Sequence, residues 1–253
     1  RGLYCEAGGF YIDPWRAVDR AIITHAHSDH ARSGSAAYLC SESGEGVLRE
    51  RVGKQASIEA TPWGEPRTIG EVKVSLHPAG HVLGSAQILV EHRGERWVVS
   101  GDYKTQVDRS CEKFEPVPCN TFITESTFGL PIYRWKPTQE VLDQVNAWWR
   151  KNQEAGRTSI LFAYALGKAQ RILCGLDPET GPIGVHGTVN RFLPHYRYWG
   201  KPIPDCLQAK GEAIKALKGK GIVIAPGSTQ NTDWIRKFAP YSLAFASGWM
   251  QVR

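Results

Sequence analysis

The chain has 253 residues, of which 42% are hydrophobic and 22% charged, a composition typical of a globular protein with at least one full core and not of a disordered chain. Its longest apolar runs are far shorter than the roughly 20 residues that a membrane-spanning helix needs, so no membrane span is expected. The start of the chain lacks both an initiator methionine and the apolar core of a secretory signal, and the six cysteines contain no C-x-x-C pair. A cytoplasmic location with reduced cysteines is therefore predicted.

The formal net charge of +6 is unevenly distributed along the chain. Residues 1–140 hold 16 Lys/Arg against 18 Asp/Glu, whereas residues 141–253 hold 15 against 7. A basic half beside a half with surplus carboxylates and histidines suits an enzyme that grips a polyanion with one part and cleaves it with another.

Short β-rich runs separated by turn residues occupy the chain up to about residue 135. Five of them are predicted to be strands, because apolar and β-branched residues cluster there between turn signals. They are residues 10–12, 21–23, 72–76, 87–90 and 97–99. Asp13 follows the first of these strands, His25 the second and Asp102 the fifth. Polar side chains therefore stand where strands meet loops, which is where functional sites are commonly built.

Beyond Pro137 predicted strands alternate with helices. A helix is predicted from Thr138, acting as its N-cap, to about Gly156. The later elements are helices at 167–174, 188–198, 208–218 and 232–238 and strands at 159–164, 222–225 and 242–246. Such alternation predicts a parallel α/β sheet. Because the pattern and the charge change at the same place, the chain is predicted to form two domains, residues 1–138 and 139–253.

The strongest chemical signal is the segment T-H-A-H-S-D-H at residues 24–30, directly after an apolar strand. It places four ligand-type side chains, those of His25, His27, Asp29 and His30, within six residues. Imidazoles and carboxylates are ligands that suit zinc, manganese and iron. In such a turn His25 and His27 are expected to face one metal ion, and Asp29 and His30 a second. An exposed polar loop without metal is the weaker interpretation of so dense a cluster.

Two distant elements complete this predicted metal site. His81 lies in A-G-H-V-L-G-S, where glycines on both sides permit a tight turn that points the imidazole inward. Asp102 lies in S-G-D at the end of the strand predicted at 97–99, where its carboxylate is expected to bridge both metals. Each element alone would more often be a core histidine or a turn aspartate, but beside the segment at 24–30 a metal-binding role is favoured.

These three segments together resemble the metallo-β-lactamase superfamily. The resemblance implies an α/β fold, an αββα sandwich whose strand ends carry the metal site. It also implies that Asp13, in G-F-Y-I-D, supports the metal-binding loop by orienting its ligands. The alternative for Asp13 is a turn aspartate at the end of a strand.

Two further segments resemble the β-CASP nucleases, a group within that superfamily that cuts DNA or RNA. The segment I-T-E-S-T-F-G around Glu125 is similar to their acidic motif A, and L-F-A-Y-A-L-G-K-A-Q, residues 161–170, is similar to the strand-to-helix segment of their inserted β-CASP domain. The resemblance implies that Glu125 lies behind the metals and holds a ligand in place. It also implies that residues 139–253 form the basic domain that grips nucleic acid.

Within this group the whole chain most resembles the bacterial ligase-associated DNA exonucleases, which are similar to the Artemis-type nucleases. The resemblance is carried by Y-I-D-P-W, S-G-D-Y-K-T, V-H-G and A-S-G-W-M. It implies a DNA exonuclease that acts on single-stranded ends in DNA repair, beside a DNA ligase and a helicase, with the 5′ end favoured. β-CASP enzymes also carry a later histidine in a segment like S-x-H-x-D, which this chain lacks. We therefore expect a fragment without the C-terminal return of the first domain, and a weakened second metal site.

The expected mechanism is hydrolysis of a phosphodiester bond by two divalent metal ions about 3.5–4 Å apart, which activate a water molecule near neutral pH. Zinc is the expected metal and manganese the alternative. Asp102 is expected to bridge the ions and Asp29 to orient the nucleophile. With Asp13 and Glu125 they form the predicted catalytic set.

Substrate contacts are harder to predict from the sequence. Lys104, just past Asp102, is a candidate for holding a phosphate oxygen, and Lys168 and Arg171 are candidates for gripping the nucleic acid. Aromatic residues such as Tyr198 and Trp199 are candidates for stacking on the bases of a single strand.

Three alternatives stay open. An RNA-processing β-CASP ribonuclease would use the same metals, because metal ions do not read the 2′-hydroxyl. A thioester or lactam hydrolase is disfavoured by the basic second half and by motif A. A non-catalytic nucleic-acid-binding fragment is the third. The other histidines are expected to be strand, surface or packing residues and not ligands; they are His77, His92, His186 and His195.

Overall fold

The computed structural model of the protein describes residues 2–248. Its contacts divide the chain into two compact units, the first ending at Thr127 and the second beginning at Phe128. No helix in this described range is both long and apolar enough to cross a membrane, and no disulfide joins the cysteines.

The boundary between the two units lies earlier in the sequence than the predicted boundary, which followed residue 138. The reason is an aromatic cluster in the segment that precedes the first helix of the second unit. The ring of Phe128 lies 4.9 Å from that of Tyr133 and 5.1 Å from that of Trp135. Gly248 packs so closely against Phe128 and Trp135 that a side chain there would overlap them. This segment therefore belongs to the second unit, although its composition alone resembles a linker.

Two five-stranded sheets form the first unit. The first sheet contains, in spatial order, β1 (Leu3–Cys5), β2 (Phe10–Ile12), β3 (Arg20–Ile22), β4 (Ala37–Ser41) and β5 (Ile58–Thr61). The β1–β2 pair is antiparallel and the remaining pairs are parallel.

The second sheet contains β6 (Arg67–Ile69), β7 (Val72–Pro78), β8 (Ala86–His92), β9 (Glu95–Val99) and β10 (Thr121–Ile123), ordered β10-β9-β8-β7-β6. Only β9 and β10 are parallel neighbours. The five strands predicted from the sequence are all present in the two sheets, with ends shifted by at most two residues. The strands that the prediction missed are mostly short, so their apolar pattern is weak.

The two sheets of the first unit share one hydrophobic core. Phe10, Ile12, Ile22 and Leu39 come from the first sheet, and Val72, Val74, Leu76, Ala86, Ile88 and Val90 come from the second. Alternate residues of each strand supply this core, as expected for sheets packed face to face. The sandwich places the loops after β3 and β9, which carry the predicted ligands, at strand ends.

One helix, α1 (Glu42–Val52), packs against β4 and β5 in the first unit. Ser41 caps its N-terminus by accepting a hydrogen bond from the N–H of Gly44, and Glu42 lies in its first turn, where the helix dipole favours negative charge. Within the described residues of the first unit, α1 is the single helix. The two outer helical layers of the predicted αββα sandwich are therefore not both seen there.

The second unit contains one parallel sheet, as predicted. Its strands are β11 (Thr158–Phe162), β12 (Ile183–Val185), β13 (Leu207–Gln208), β14 (Ile222–Ala225) and β15 (Tyr241–Phe245), ordered β13-β12-β14-β11-β15. Every neighbouring pair in it is parallel.

The helices of the second unit are α2 (Thr138–Glu154), α3 (Lys168–Leu173), α4 (Gly187–Asn190), α5 (Leu193–Tyr198), α6 (Ala213–Leu217) and α7 (Asp233–Arg236). Three predictions about them were wrong in detail. Pro137, and not Thr138, is the N-cap of α2.

The helix predicted at 188–198 is split into α4 and α5. Pro194 lies at the start of α5, and a proline ring clashes with the carbonyl four residues earlier, which ends the preceding helix at Asn190. The helix predicted at 208–218 begins only at Ala213, because Leu207 and Gln208 pair as an edge strand with β12.

Candidate metal centre

Four ligand-type side chains converge at the strand ends of the first unit. His25 and His27 lie in the loop after β3, His81 in the turn between β7 and β8, and Asp102 after β9. His27 Nδ1 lies 3.0 Å from His25 Nε2 and 3.3 Å from His81 Nε2. The carboxylate oxygen Oδ2 of Asp102 lies 3.4 Å from His81 Nε2 and 3.8 Å from His25 Nε2. We call these four residues the first cluster.

The spacing of the first cluster fits a tetrahedral metal ion. With metal–ligand bonds of about 2.0–2.2 Å, the ligand atoms of a tetrahedral site are about 3.3–3.6 Å apart, close to the separations seen here. Burial, together with the neighbouring His30, His27 and His81, holds the pKa of His25 well below its ordinary value. A neutral imidazole offers the lone pair that a metal needs.

A second cluster consists of His30, Asp102 and Glu125, whose ligand atoms lie within 4.8 Å of one another. His30 Nε2 is 3.7 Å from Glu125 Oε1. Burial raises the pKa of Glu125, and the charges of Asp102 and Asp13 add to this, whereas His30 opposes it. Asp102 belongs to both clusters, so its carboxylate lies where a bridging ligand would be needed.

Glu125 thus lies closer to the candidate ligands than the sequence indicated. β9 and β10 are parallel neighbours, and Ile123 is paired with Val99. The carboxyl ends of the two strands are therefore adjacent, and Asp102 and Glu125 follow them by three and two residues. The triplet T-F-I before T-E, three residues that favour β-strands, was the available signal, but β10 was too short to be predicted with its partner.

Asp13 connects two residues of the centre. Its carboxylate accepts hydrogen bonds from the N–H and the hydroxyl of Thr24 and from His30 Nδ1, the last at 2.7 Å. Because His30 donates through Nδ1, its Nε2 is left to face the second cluster. Burial alone would lower the pKa of His30, but the hydrogen bond and charge of Asp13, with the charges of Glu125 and Asp102, raise it to about 9.

The turn that carries His81 is fixed by its own side chains and by close backbone packing. The hydroxyl of Ser85 accepts hydrogen bonds from the N–H groups of His81 at 2.9 Å and Val82 at 3.2 Å. Gly80 and Gly84 both have positive φ, +75° and +72°, a region that most residues with a Cβ avoid. Both predicted glycine roles therefore have a structural basis.

Asp29 and Lys104 differ in position from the other predicted site residues. The Asp29 side chain is 74% exposed; its Oδ2 lies 3.8 Å from His30 Nε2, and the residue is in neither cluster. Lys104 Nζ lies 3.4 Å from the carboxylate of the buried Asp108, so its charge is already compensated within the chain.

Lys168 and Arg171 lie in α3 of the second unit. Lys168 Nζ stands 5.7 Å from the centre of the Tyr164 ring, a cation–π contact. Their role as substrate contacts stays a prediction. His77 lies in β7 and His186 caps α4, and neither belongs to a cluster of candidate ligands among the described residues.

No family model matches the chain, but curated proteins do. A probable DNA ligase of Opitutus terrae is 30% identical over 251 residues, which is 98% of this chain. Endoribonuclease ysh-1 of Neurospora crassa is 33% identical over 127 residues, 49% of this chain. Cleavage and polyadenylation specificity factor 73 of Drosophila melanogaster is 29% identical over 181 residues, 69% of this chain.

This chain spans 24%, 15% and 26% of the lengths of these three relatives. The likeness to nucleases supports an enzymatic role, and the His, Asp and Glu side chains of the two clusters are placed so that they could hold metal. The motifs and these similarities agree: the chain belongs to the β-CASP group of the metallo-β-lactamase superfamily.

Proposed function

We propose that the chain is a nuclease that hydrolyses phosphodiester bonds with two divalent metal ions, one at each cluster. The observation that carries the proposal is the sharing of Asp102 between three imidazoles on one side and His30 with Glu125 on the other. A single carboxylate between two sets of nitrogen and oxygen donors is suited to hold two ions close together.

The donor atoms indicate which metals would fit. The first cluster offers three nitrogens and one oxygen, and the second offers one nitrogen and two oxygens, sets that suit zinc and also manganese. Ions bound there would supply a Lewis acid for the scissile phosphate and a water nucleophile at neutral pH.

Residues of this chain would orient the reaction. Asp13 holds the His30 ring through Nδ1, which fixes the direction of Nε2. The exposed carboxylate of Asp29, 3.8 Å from His30 Nε2, is available to join the second cluster or to orient the nucleophile. We retain the αββα sandwich for the first domain, and nucleic-acid binding by the basic second domain through Lys168 and Arg171.

We favour single-stranded DNA ends as the substrate, in DNA repair beside a ligase and a helicase. The support is the likeness over 98% of the chain to a probable DNA ligase. RNA is the second candidate, because the Neurospora crassa relative is named an endoribonuclease, although that likeness covers 49% of the chain.

The test is digestion of matched single-stranded DNA and RNA, each 5′-phosphorylated and labelled at either end, with zinc or manganese and with a chelator control. We expect shortening of DNA that the chelator abolishes. The position of the label in the shortened products will show which end is attacked.

Asp102→Asn provides the link to the candidate centre. It should lower bound metal and reduce cleavage by about a hundredfold or more, because losing even an outer partner of a metal ligand costs about 10- to 100-fold. Asp205→Asn, at an exposed aspartate of the second unit, is the matched control and should leave the amount of bound metal and the rate of cleavage unchanged. Cleavage of RNA in preference to DNA would favour the second candidate, whereas no cleavage of either by the metal-loaded chain would contradict the proposal.

A further inference from the structure

Two segments of the first unit run side by side away from the second cluster. Asp13 binds His30, a side chain at Gly34 would contact Ala17, and the N–H of Val18 donates to the hydroxyl of Ser35. Each contact joins residues that are 17 positions apart, so residues 13–18 and 30–35 keep one register. We call this pair of segments the flanking strip.

The register of the flanking strip places Trp15 beside Arg32. Each lies two residues beyond one partner of the Asp13–His30 hydrogen bond. The Trp15 side chain is 72% exposed, and Arg16 and Arg32 are exposed as well. Within residues 2–248, neither arginine makes an ion pair with its guanidinium group.

The backbone beneath these side chains is fixed. The hydroxyl of the buried Tyr38 donates to the carbonyl of Arg32 at 2.7 Å and accepts from the N–H of Ser35 at 2.9 Å. Pro14 is buried next to the exposed Trp15. The guanidinium group of Arg32 therefore projects from a backbone held by hydrogen bonds, so little conformational entropy of the main chain at that residue would be lost on binding.

The charge of the strip is positive. Residues 13–18 and 30–35 contain two arginines, Arg16 and Arg32, against one carboxylate, that of Asp13, which is already hydrogen-bonded to Thr24 and His30. A single exposed tryptophan needs no explanation by itself. An exposed tryptophan and exposed arginines, close along the chain to the candidate ligand His30 and to Asp13 that holds it, offer the two features that single-stranded nucleic acid requires, a flat surface for a base and positive charge for the backbone.

We propose that the flanking strip binds the nucleotide next to the scissile phosphate, with Trp15 stacking on its base and Arg32 and Arg16 contacting phosphates. This inference rests on the proposed nuclease function and adds the residues that bind the nucleotide beside the cleaved bond. The occupant is a single strand, because the base faces of a duplex are already covered by stacking.

The first experiment measures binding and not cleavage. The full chain, with chelator present to prevent hydrolysis, is titrated into labelled oligothymidylate of about twelve nucleotides, a length within the range of about 4–16 nucleotides seen for single-strand sites. Trp15→Ala should weaken binding by about five- to a hundredfold, the loss typical of one stacked base. Trp15→Phe should retain most of the affinity, and Trp97→Ala, at a tryptophan that is 45% exposed in β9, should leave it unchanged.

The second experiment tests the phosphate contact. Arg32→Ala should lower the slope of log K against log salt by about 0.7, the value for one phosphate contact of a single strand. Arg32→Lys should restore the slope. Lys73→Ala, which removes one exposed positive charge from β7, should leave it unchanged.

The results separate this inference from the proposed function. Weaker binding by Trp15→Ala together with the altered slope of Arg32→Ala supports the strip. Wild-type affinity and slope in both variants would overturn it, and so would a wild-type chain that does not bind the oligonucleotide. Metal-dependent cleavage by that chain in the digestion assay would nevertheless leave the nuclease function standing.

Discussion

Asp13 has an unusual backbone conformation as well as a demanding set of hydrogen bonds. Its φ of 44° lies in the left-handed region, which asparagine and aspartate tolerate better than other residues with a side chain. Its carboxylate accepts two hydrogen bonds from Thr24 and one from His30. The residue type is therefore constrained by both the backbone and the hydrogen bonds of the candidate metal centre.

Asp13→Asn tests that constraint, because asparagine keeps the size and the backbone preference but cannot accept all three hydrogen bonds. We expect metal affinity to fall by about 10- to 100-fold, the typical cost of losing a partner of a metal ligand. Competition with a chromophoric chelator measures it. Asp19→Asn, at an exposed aspartate on the same segment, is the control, and equal affinities of the two variants would contradict a supporting role for Asp13.

At the scale of elements, the turn carrying His81 depends on a close approach to α1. Gly84 has a φ of +72°, and a side chain there would overlap the backbone of Gly44 in α1. The hydroxyl of Ser41, the cap of α1, donates to the carbonyl of Gly84 at 2.6 Å in a buried position. The first helix and the turn thus hold each other in place.

Gly84→Ala should destabilise the first unit by about 2–6 kcal/mol, combining backbone strain with overpacking. Gly94→Ala isolates the strain, because Gly94 has a φ of +85° but open space around it, and should cost only about 1–3 kcal/mol. Urea unfolding of both variants gives the comparison. Equal unfolding midpoints would show that the contact with Gly44 does not constrain the turn.

The cap of α4 should make the second unit sensitive to pH. His186 Nδ1 accepts the N–H of Thr188 at 3.2 Å, and its ring lies 5.0 Å from that of Trp234. Burial lowers the pKa of His186 below its ordinary value of 6.5. His186 therefore binds a proton more readily in the unfolded chain than in the folded one. The stability that the neutral imidazole contributes is complete above about pH 6.5 and is lost as the pH falls below it.

His186→Asn keeps a capping side chain that does not titrate. We expect wild type to lose more stability than the variant as the pH falls from about 8 to about 5, with the difference confined to the acidic part of that range. Urea unfolding at several pH values measures it. If the unfolding free energies of wild type and variant change in parallel with pH, the pKa of His186 does not differ between the folded and unfolded states.

At the scale of the whole molecule, the two compact units have separate hydrophobic cores. The core shared by the two sheets lies in the first unit, and two further clusters lie on either side of the parallel sheet in the second. Both clusters of candidate ligands are confined to the first unit. Metal binding should therefore stabilise the first unit and not the second.

Calorimetry of the chain with zinc and with chelator tests this. Free metal at about 100 times the dissociation constant of a site adds about 2.7 kcal/mol to the free energy of unfolding of the unit that binds it. Zinc should therefore raise the midpoint temperature of one unfolding transition and leave that of the other unchanged. Asp102→Asn should abolish the shift. Equal shifts of all transitions would show that the two units unfold together.

Local sequence patterns determined much of what could be known about this protein. The strands around the candidate centre, the parallel sheet of the second unit and the density of ligand-type residues at 24–30 are all properties of short windows. Alternation and ligand spacing depend on neighbouring residues, so they are visible without any tertiary contact. Errors occurred where a nearby proline or an edge strand overrode a helical pattern, as at Pro194 and Leu207.

Only the tertiary structure decided which distant residues meet. The parallel pairing of β9 with β10 brings Glu125 to His30 and Asp102, and the loop after Asp102 pairs Lys104 with Asp108. The aromatic cluster around Phe128 assigns the connecting segment to the second unit. Strand pairing and side-chain packing join residues far apart along the chain, and no local window of the sequence carries that information.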